Sequence, residues 1–160
     1  MLHTLYIVRH AQAMSGNHEW QDEQRPLTPK GEQDARQLGV YLKSQNSNLN
    51  LIISSPALRA HRTAQLVAEP LTTNAAIQID RTLYSGNKLA LLQRLNSLPE
   101  HQPDVMLVGH YPAIVELHDY LSTNKQVGGM QAGELIALTF VPSWRELTGG
   151  LATHLYSFSP

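Results

Sequence analysis

Two histidines follow apolar runs of the sequence, and this pairing is the first clue to chemistry. Arg9 and His10 come directly after the run at 5–8. His110 follows a second run at 105–109. Each run has the length and composition of a buried parallel strand. Ligands of such sheets gather at the carboxyl ends of the strands, so we expect both imidazoles to meet at one edge of a sheet.

The sequence also places arginines where they would meet these histidines. Arg9 precedes His10, and Arg59 lies in the first turn of a predicted helix that follows a third apolar run at 51–54. A guanidinium group binds phosphate oxygens in pairs and stays charged at any working pH. A helix N-terminus adds N–H donors and the positive end of the helix dipole. These groups predict a pocket that prefers a dianion such as phosphate.

Within such a pocket the two imidazoles would have different roles. If one nitrogen of His10 donates its N–H to a nearby acceptor, the other presents a lone pair that can attack phosphorus. The resulting phosphoenzyme is then hydrolysed by water. Neighbouring cations lower the pKa of His10 and favour its neutral, nucleophilic form. A protonated His110 would instead stabilise the charge that builds on the equatorial oxygens.

Composition excludes several classes of protein. The 160 residues, 42% of them hydrophobic, suffice for one domain over 1–160. A net charge of -1 and a pI near 6.7 argue against nucleic-acid binding. Without cysteine, disulfides, thiolate nucleophiles and cysteine-zinc sites are excluded. The first residues do not resemble a signal peptide, and no run approaches the ~18 apolar residues of a membrane span, so we expect a cytoplasmic protein that contacts no membrane.

The elements that must position the site alternate between strand and helix. Strands are predicted at 5–8, 51–54, 77–79 and 105–108, with two further strands at 134–141 and 152–158 that we expect to pair as a hairpin. Helices are predicted at 29–43, 57–69, 89–98 and 112–121. This alternation over 4–121 favours βαβ units and an α/β fold with a mainly parallel sheet.

A long polar segment at 11–27 separates the first strand from the first helix. Loops of this length are usually functional, and we expect this one to lie over the strand end. Trp20 would either pack over the mouth of the pocket or anchor the loop. Thr28 is expected to cap the helix, with Pro29 at its first position.

Four spaced motifs resemble the histidine phosphatase superfamily and, within it, the short SixA-type phosphohistidine phosphatases. They read LYIVRHAQA at 5–13, RPLTPKG at 25–31, SSPALRAHRTAQ at 54–65 and VMLVGHYP at 105–112. Four motifs in the correct order are far more specific than a lone Arg-His pair. The resemblance implies a three-layer α/β/α sandwich of the phosphoglycerate-mutase type with a mainly parallel central sheet.

The resemblance also implies a role for each residue of the pocket. His10 would be the nucleophile that is phosphorylated in turnover, and His110 the second pocket histidine. Arg9 and Arg59 would bind the phosphate, joined by Arg25 from the second motif. Enzymes of this type use no metal, and we expect neither a metal nor another cofactor.

Two departures from the larger members of the superfamily matter. Those members read Arg-His-Gly, whereas this chain has Ala11, as the SixA-like branch does. They also carry a glutamate general acid shortly after a Leu-Tyr pair. Here Leu83 and Tyr84 are followed by Ser85, so the usual proton donor is missing.

The missing general acid affects which leaving group can depart from phosphorus. An alkoxide departs badly because the pKa of its conjugate acid is comparable to that of water, ~15.7, whereas that of imidazole is ~6.5. A general acid contributes roughly 10²–10⁴-fold, and a phosphate ester needs this help more than a phosphoramidate does. The absence therefore favours phosphohistidine over sugar phosphates. If an acid is required, Asp22, Glu19 and Glu23 of the loop are candidates, with Asp22 preferred.

We therefore expect a metal-independent phosphatase that acts on phosphohistidine of a protein partner. A chain of 160 residues leaves little room for the insertions that would enclose a small metabolite. Two alternatives stay open. One is a phosphatase for small phosphate esters that uses Asp22 or another loop carboxylate as its acid, and the other is a non-catalytic phosphate-binding module.

Other polar residues are interpreted as structural or as surface residues. His61 and His118 lie on predicted helices without a second ligand at metal-binding spacing. Ser55 lacks the Gly-x-Ser-x-Gly elbow of a serine hydrolase. Arg62 lies on the same predicted helix as Arg59, and only the resemblance selects Arg59 as the phosphate ligand.

Overall fold

Six strands form one sheet in the computed structural model, which describes residues 1–16, 19–124 and 129–160. In chain order they are β1 (His3–Arg9), β2 (Leu51–Ser54), β3 (Ala76–Ile79), β4 (Asp104–Gly109), β5 (Leu135–Phe140) and β6 (Thr153–Phe158). Their order across the sheet is β3-β2-β4-β1-β5-β6. β1 to β4 are mutually parallel, whereas β5 is antiparallel to both β1 and β6. The mainly parallel sheet and the final antiparallel pair are therefore confirmed.

Helices cover both faces of this sheet. They are α1 (Pro29–Ser44), α2 (Leu58–Ala68), α3 (Thr82–Ser85), α4 (Lys88–Asn96) and α5 (Ala113–Leu121). Tyr6 and Val8 of β1 lie in one apolar core with α1 and α2, while Leu5 and Ile7 lie in a second core with α3, α4 and α5. This alternation confirms the three-layer α/β/α sandwich. No helix of the described residues is long and apolar enough to cross a membrane.

The polar segment after β1 is fastened at its base to the start of α1. Thr28 donates its backbone N–H to the Gln12 carbonyl at 3.0 Å. Its side chain accepts from the Gly31 N–H at 2.9 Å, as expected of an N-cap. A Cβ at Gly31 would lie 2.1 Å from the Gln12 carbonyl oxygen. Glycine is thus required here because the helix start touches the loop backbone.

Two 3₁₀ helices, 22–24 and 144–146, are additions to the predicted elements. The first lies inside the polar segment, where Trp20 is half-buried and residues 17 and 18 lie outside the described residues. The second carries Trp144, which is fully buried and donates its Nε1–H to the Gln102 carbonyl at 2.7 Å. Neither turn has the apolar periodicity from which a helix can be predicted.

Candidate active site

Adjacent parallel strands bring the two histidines together. Arg9 at the end of β1 pairs in register with Gly109 at the end of β4. The next residue, His10, donates its backbone N–H to the Gly109 carbonyl at 3.1 Å. The ring centroids of His10 and His110 are 5.2 Å apart. The two imidazoles therefore lie at one edge of the sheet, at the carboxyl ends of its parallel strands.

The hydrogen bonds of His10 determine which of its nitrogens is available. Nδ1 lies 2.7 Å from the Ala11 carbonyl oxygen. Because a carbonyl only accepts, Nδ1 carries the proton and Nε2 keeps a free lone pair. The Ala11 N–H in turn donates to Thr63 Oγ1 at 3.0 Å, and the Thr63 hydroxyl donates to the Arg59 carbonyl at 2.7 Å. The acceptor for His10 is thus held in place by α2.

The surroundings of His10 keep its imidazole neutral. Burial lowers its pKa to about 3. The hydrogen bond to Ala11 opposes this shift, whereas the charges of His110, Arg59 and Arg9 contribute to it. At neutral pH the unprotonated Nε2 is therefore present in essentially every molecule, which is what a nucleophile at phosphorus requires.

Two arginines lie beside the histidines. Arg59 is only 5% exposed, and its Nη1 donates to the Asp22 carbonyl at 2.7 Å. Arg9 donates from Nη1 to the Met130 carbonyl at 2.7 Å, and its guanidinium carbon lies 5.5 Å from the Tyr111 ring centroid. The buried Nε of each arginine has no hydrogen-bond partner in the described part of the chain. Buried charge with unused donors is costly unless an anion compensates it, so this pattern fits an anion-binding site.

His110 is held by a serine that the sequence analysis did not select. Its Nε2 lies 2.8 Å from Ser55 Oγ, and its Nδ1 lies 3.3 Å from Arg59 Nη2. Because a guanidinium only donates, Nδ1 accepts and Nε2 carries the proton. Burial, followed by the charge of Arg59, lowers the pKa of His110 to about 4. His110 is therefore neutral without a bound anion, and a bound dianion would favour the protonated form considered in the sequence analysis.

Asp22 occupies the mouth of the pocket as an ionised carboxylate. Its Oδ2 accepts from the Tyr84 hydroxyl at 2.7 Å and from Arg59 Nη2 at 3.2 Å. The Tyr84 hydrogen bond, then those from Arg59 and Arg25, hold its pKa at about 2. A carboxylate without a proton cannot act as a general acid, so this arrangement weighs against that expected role. Of the other candidates, Glu23 is paired with Arg81 and Glu19 is exposed.

Arg25 reaches the pocket through Asp22. Its Nε and Nη2 lie 3.2 and 3.1 Å from Asp22 Oδ1. Its Nη1 donates to the Met14 carbonyl at 2.9 Å. Asp22 therefore joins Arg25 to Arg59, and both guanidinium groups lie where they could turn toward a common anion.

Three further residues of the site were missed from the sequence as functional residues. Tyr84 contacts Asp22, and its ring lies nearly perpendicular to that of His110, with ring centroids 5.5 Å apart. Ser55 and Thr63 fix His110 and the Ala11 peptide. A signal existed for Ser55, because it follows a strand end as the two histidines do. Thr63 lies one helical turn after Arg59, but that spacing alone indicates no contact with the loop.

The site opens to the surface on both sides of Tyr84. On one side lies a groove of about 530 Å³, lined in part by Asp22, Leu58 and His61. On the other side lies a depression of about 280 Å³, lined in part by His110 and Tyr111. Leu58 is 45% exposed, so the groove offers an apolar wall. This open shape can admit a phosphorylated group that projects from a larger molecule.

The histidines that could be considered as metal ligands, His61 and His118, do not contact the two histidines of the site. His118 is buried on α5 with its Nδ1 2.9 Å from Asp119 Oδ1, in agreement with a structural role. His61 lines the groove and is half-buried. Within residues 1–16, 19–124 and 129–160, no three histidine, aspartate or glutamate side chains group in a way that could hold a metal ion.

Comparison with known proteins agrees with this geometry. Residues 5–84 match the model of the histidine phosphatase superfamily, branch 1. An uncharacterized protein of Picosynechococcus sp. is 32% identical over 116 residues, which span 70% of this chain and 68% of that protein.

Solved structures of similar fold include two described as SixA. A protein assigned as the phosphohistidine phosphatase SixA of Nakamurella multipartitia has a TM-score of 0.87 at 24% identity, covering 100% of this chain and 97% of that one. The protein histidine phosphatase SixA in complex with tungstate has a TM-score of 0.84 at 23% identity, covering 98% and 96%. A mycobacterial glucosyl-3-phosphoglycerate phosphatase has a TM-score of 0.66 at 16% identity, covering 94% and 97%. At such identities the likeness establishes the shared fold.

Proposed function

This chain belongs to the histidine phosphatase superfamily, and we propose that it hydrolyses phosphohistidine on a protein partner through a phosphoenzyme at His10. The observation that carries the proposal is the Nδ1 contact of His10 with the Ala11 carbonyl at 2.7 Å. It leaves Nε2 unprotonated within a pocket of cations. That combination provides both a nucleophile and the positive charge that a phosphoryl group requires.

The reaction proceeds in two transfers. In the first, His10 Nε2 bonds to phosphorus while the bond to the leaving group breaks, and Arg9, Arg25 and Arg59 stabilise the oxygens. In the second, water attacks the phosphorylated His10 and releases phosphate. The pKa of His110, about 4 in the protein alone, rises when the dianion binds, and the protonated His110 then stabilises the equatorial oxygens.

The ionised Asp22 supports phosphohistidine as the substrate class. With no proton on this carboxylate, the site favours a leaving group that departs without protonation of its leaving atom. An imidazole satisfies this condition much better than an alkoxide, by roughly nine pKa units. The open groove beside Leu58 supports a substrate carried by a protein surface.

A phosphatase for small phosphate esters is the second candidate. It is favoured by the fold shared with the mycobacterial glucosyl-3-phosphoglycerate phosphatase, a protein named for a small phosphate ester. Such an enzyme would need Asp22 to be protonated in the complex. The pKa of Asp22, about 2, makes that costly near neutral pH.

A comparison of three substrates tests the proposal. The wild-type protein would be assayed with N-phosphoimidazole, p-nitrophenyl phosphate and an alkyl phosphate, in the presence of EDTA. We expect the highest kcat/KM for the phosphoimidazole and the lowest for the alkyl ester, without loss of activity in the chelator. Preference for the alkyl ester would contradict the phosphohistidine proposal, and loss of activity in EDTA would contradict the metal-independent mechanism. Cell fractionation would test the predicted cytoplasmic location separately.

A further inference from the structure

Asp22 places a negative charge close to His110. Arg59 Nη2 lies 3.2 Å from Asp22 Oδ2 and 3.3 Å from His110 Nδ1, so one nitrogen atom bridges the carboxylate and this histidine. The Asp22 side chain nevertheless remains 53% exposed and lines the groove. It can therefore contact both the pocket and whatever occupies the groove.

The groups that face Asp22 come from three parts of the chain. Arg59 comes from α2, Tyr84 from α3 and Arg25 from the loop itself. Beyond them lie His110, His61 on the groove wall, and the Glu23–Arg81 ion pair. The three donors in contact favour the ionised form and lower the pKa of Asp22 to about 2. Asp22 is therefore an acceptor of hydrogen bonds from these three side chains.

A bound phosphoryl group would change these contacts. Arg25 and Arg59 prefer its oxygens, which carry more charge than a carboxylate. An ionised carboxylate has about four acceptor positions, and such a shift would leave some of those of Asp22 without a donor. Tyr84 would still hold the side chain in place. A donor on the substrate, within the groove, can then take the position that an arginine has left.

Resting on the proposed function, we propose that Asp22 selects phosphohistidine by accepting a hydrogen bond from the imidazole nitrogen that does not carry phosphorus. In the first transfer His10 Nε2 bonds to phosphorus and the phosphorus–nitrogen bond of the substrate breaks. The electron pair of that bond goes to the leaving nitrogen, and the proton on the remote nitrogen stays in place. A neutral imidazole departs, and its leaving atom needs no proton. A phosphate ester offers no remote N–H to the carboxylate.

The enzyme's own histidine is held in a matching way. His10 Nδ1 donates to the Ala11 carbonyl at 2.7 Å, and this proton remains when phosphorus bonds to Nε2. During the first transfer phosphorus thus lies between two imidazoles, each with its remote N–H on an oxygen acceptor. Asp22 would accept the remote N–H of the substrate imidazole, as the Ala11 carbonyl accepts that of His10.

The test compares Asp22→Asn with the wild type on N-phosphoimidazole and on p-nitrophenyl phosphate at pH 5.5 and pH 8.5. The remote nitrogen of the phosphoimidazole loses its proton in solution near neutrality, as imidazole does at ~6.5, so the carboxylate matters most at the higher pH. At pH 8.5 we expect kcat/KM of the variant on the phosphoimidazole to fall at least about tenfold further than on the ester, since a hydrogen bond to a charged group is lost. At pH 5.5 the difference between the losses of kcat/KM on the two substrates should be smaller.

Two further variants complete the experiment. Glu23 is the next residue in the chain, but its carboxylate pairs with Arg81 instead of Arg59. The Glu23→Gln variant should therefore keep the pH profile of the wild type. Asp22→Glu keeps the carboxylate and should recover part of the activity on phosphoimidazole at pH 8.5.

An equal loss of kcat/KM of Asp22→Asn on both substrates at both pH values would overturn the proposal in favour of a role in positioning Arg59. A larger loss on the ester would overturn it in favour of a proton donor. In either case the wild type could still prefer phosphoimidazole, so the proposed function would stand or fall separately.

Discussion

β1 carries a histidine at each end, and the two lie in opposite electrostatic surroundings. His3, at its start, is 2% exposed, stacks on Phe140 with ring centroids 5.1 Å apart, and packs edge-to-face with Trp144 with ring centroids 5.3 Å apart. Its Nε2 lies 3.1 Å from Glu100 Oε2. His10, directly after the other end of the strand, faces the cations of the pocket instead.

The difference shows that burial alone does not mark a functional histidine. At the His3 end a carboxylate contacts Nε2 and two aromatic rings pack against the imidazole, and the one ring nitrogen without a partner among the described residues is Nδ1. At the His10 end the buried Nε atoms of Arg9 and Arg59 lack partners among the described residues. Asp22 balances only part of the positive charge of Arg9, Arg25 and Arg59, and a bound anion would make this end more stable. We therefore interpret the first end as a part of the fold and propose the second as a ligand site.

Replacing His10 gives the largest expected effect. His10→Ala removes the nucleophile and should lower kcat by at least about 10⁴-fold. The melting temperature should change little, because the neutral imidazole hydrogen-bonds to the carbonyl of the adjacent residue, Ala11, and its removal leaves no charge without a partner. Steady-state kinetics and thermal unfolding on the same preparation measure both quantities. Comparable loss of stability and of activity would mean that His10 is structural like His3.

His3→Ala is the matched change at the opposite end and should give the reverse result. It leaves a cavity between Phe140 and Trp144 and removes the partner of Glu100, so we expect a destabilisation of about 2–4 kcal/mol. Denaturant unfolding measures this loss. The kcat of the folded fraction should stay close to the wild-type value. A loss of kcat without a loss of stability would contradict the purely structural role of His3.

Acid should destabilise the His10 end through proton linkage. His10 has a pKa of about 3 when folded, against ~6.5 in an unfolded chain, so between these values the unfolded state binds more protons. Stability from this group is complete above pH ~6.5 and is lost as the pH falls toward about 3, at up to about 1.4 kcal/mol per pH unit. In His10→Asn the number of protons taken up on unfolding between pH values of about 3 and ~6.5 should be smaller by about one, so the unfolding free energy should depend less steeply on pH. Unfolding curves at several pH values test this, and an unchanged slope would contradict the neutral His10.

Removing the Ser55 hydroxyl should have the smallest effect. Ser55→Ala deletes the partner of His110 Nε2 and frees the ring to rotate or change its tautomer. We expect kcat to fall about three- to tenfold, with KM less affected, because one neutral hydrogen bond is lost. Ser54→Ala is the control, since the Ser54 hydroxyl donates to the Ser55 carbonyl and not to a histidine. Equal effects of the two changes would show that Ser55 acts only through the fold.

The sequence predicted the parts of the molecule that depend on local pattern. Apolar runs that end at His10 and His110 identified two parallel strands, and parallel topology then required their ends to meet. The Thr28-Pro29 pair located the start of α1 because capping is local chemistry. Arg59 could be chosen over Arg62 only by resemblance, since both lie on the same helix.

Contacts between distant irregular segments could not be predicted. Asp22 meets Tyr84 because a 3₁₀ turn and a one-turn helix happen to face each other, and neither has a periodic pattern. The neutral state of His110 depends on the burial and on the distance to Arg59, which sequence spacing does not contain. The same holds for Trp144, whose burial depends on the whole second core.

The central claim is that the His10 end of β1 carries a covalent reaction. It is tested most directly by rapid acid-free quenching of the protein with a radiolabelled phosphohistidine substrate, followed by mapping of the label. The account predicts an acid-labile phosphoryl group on Nε2 of His10, formed and discharged at rates that match turnover and absent from His10→Ala. Turnover without label on His10, or label on another residue, would contradict it.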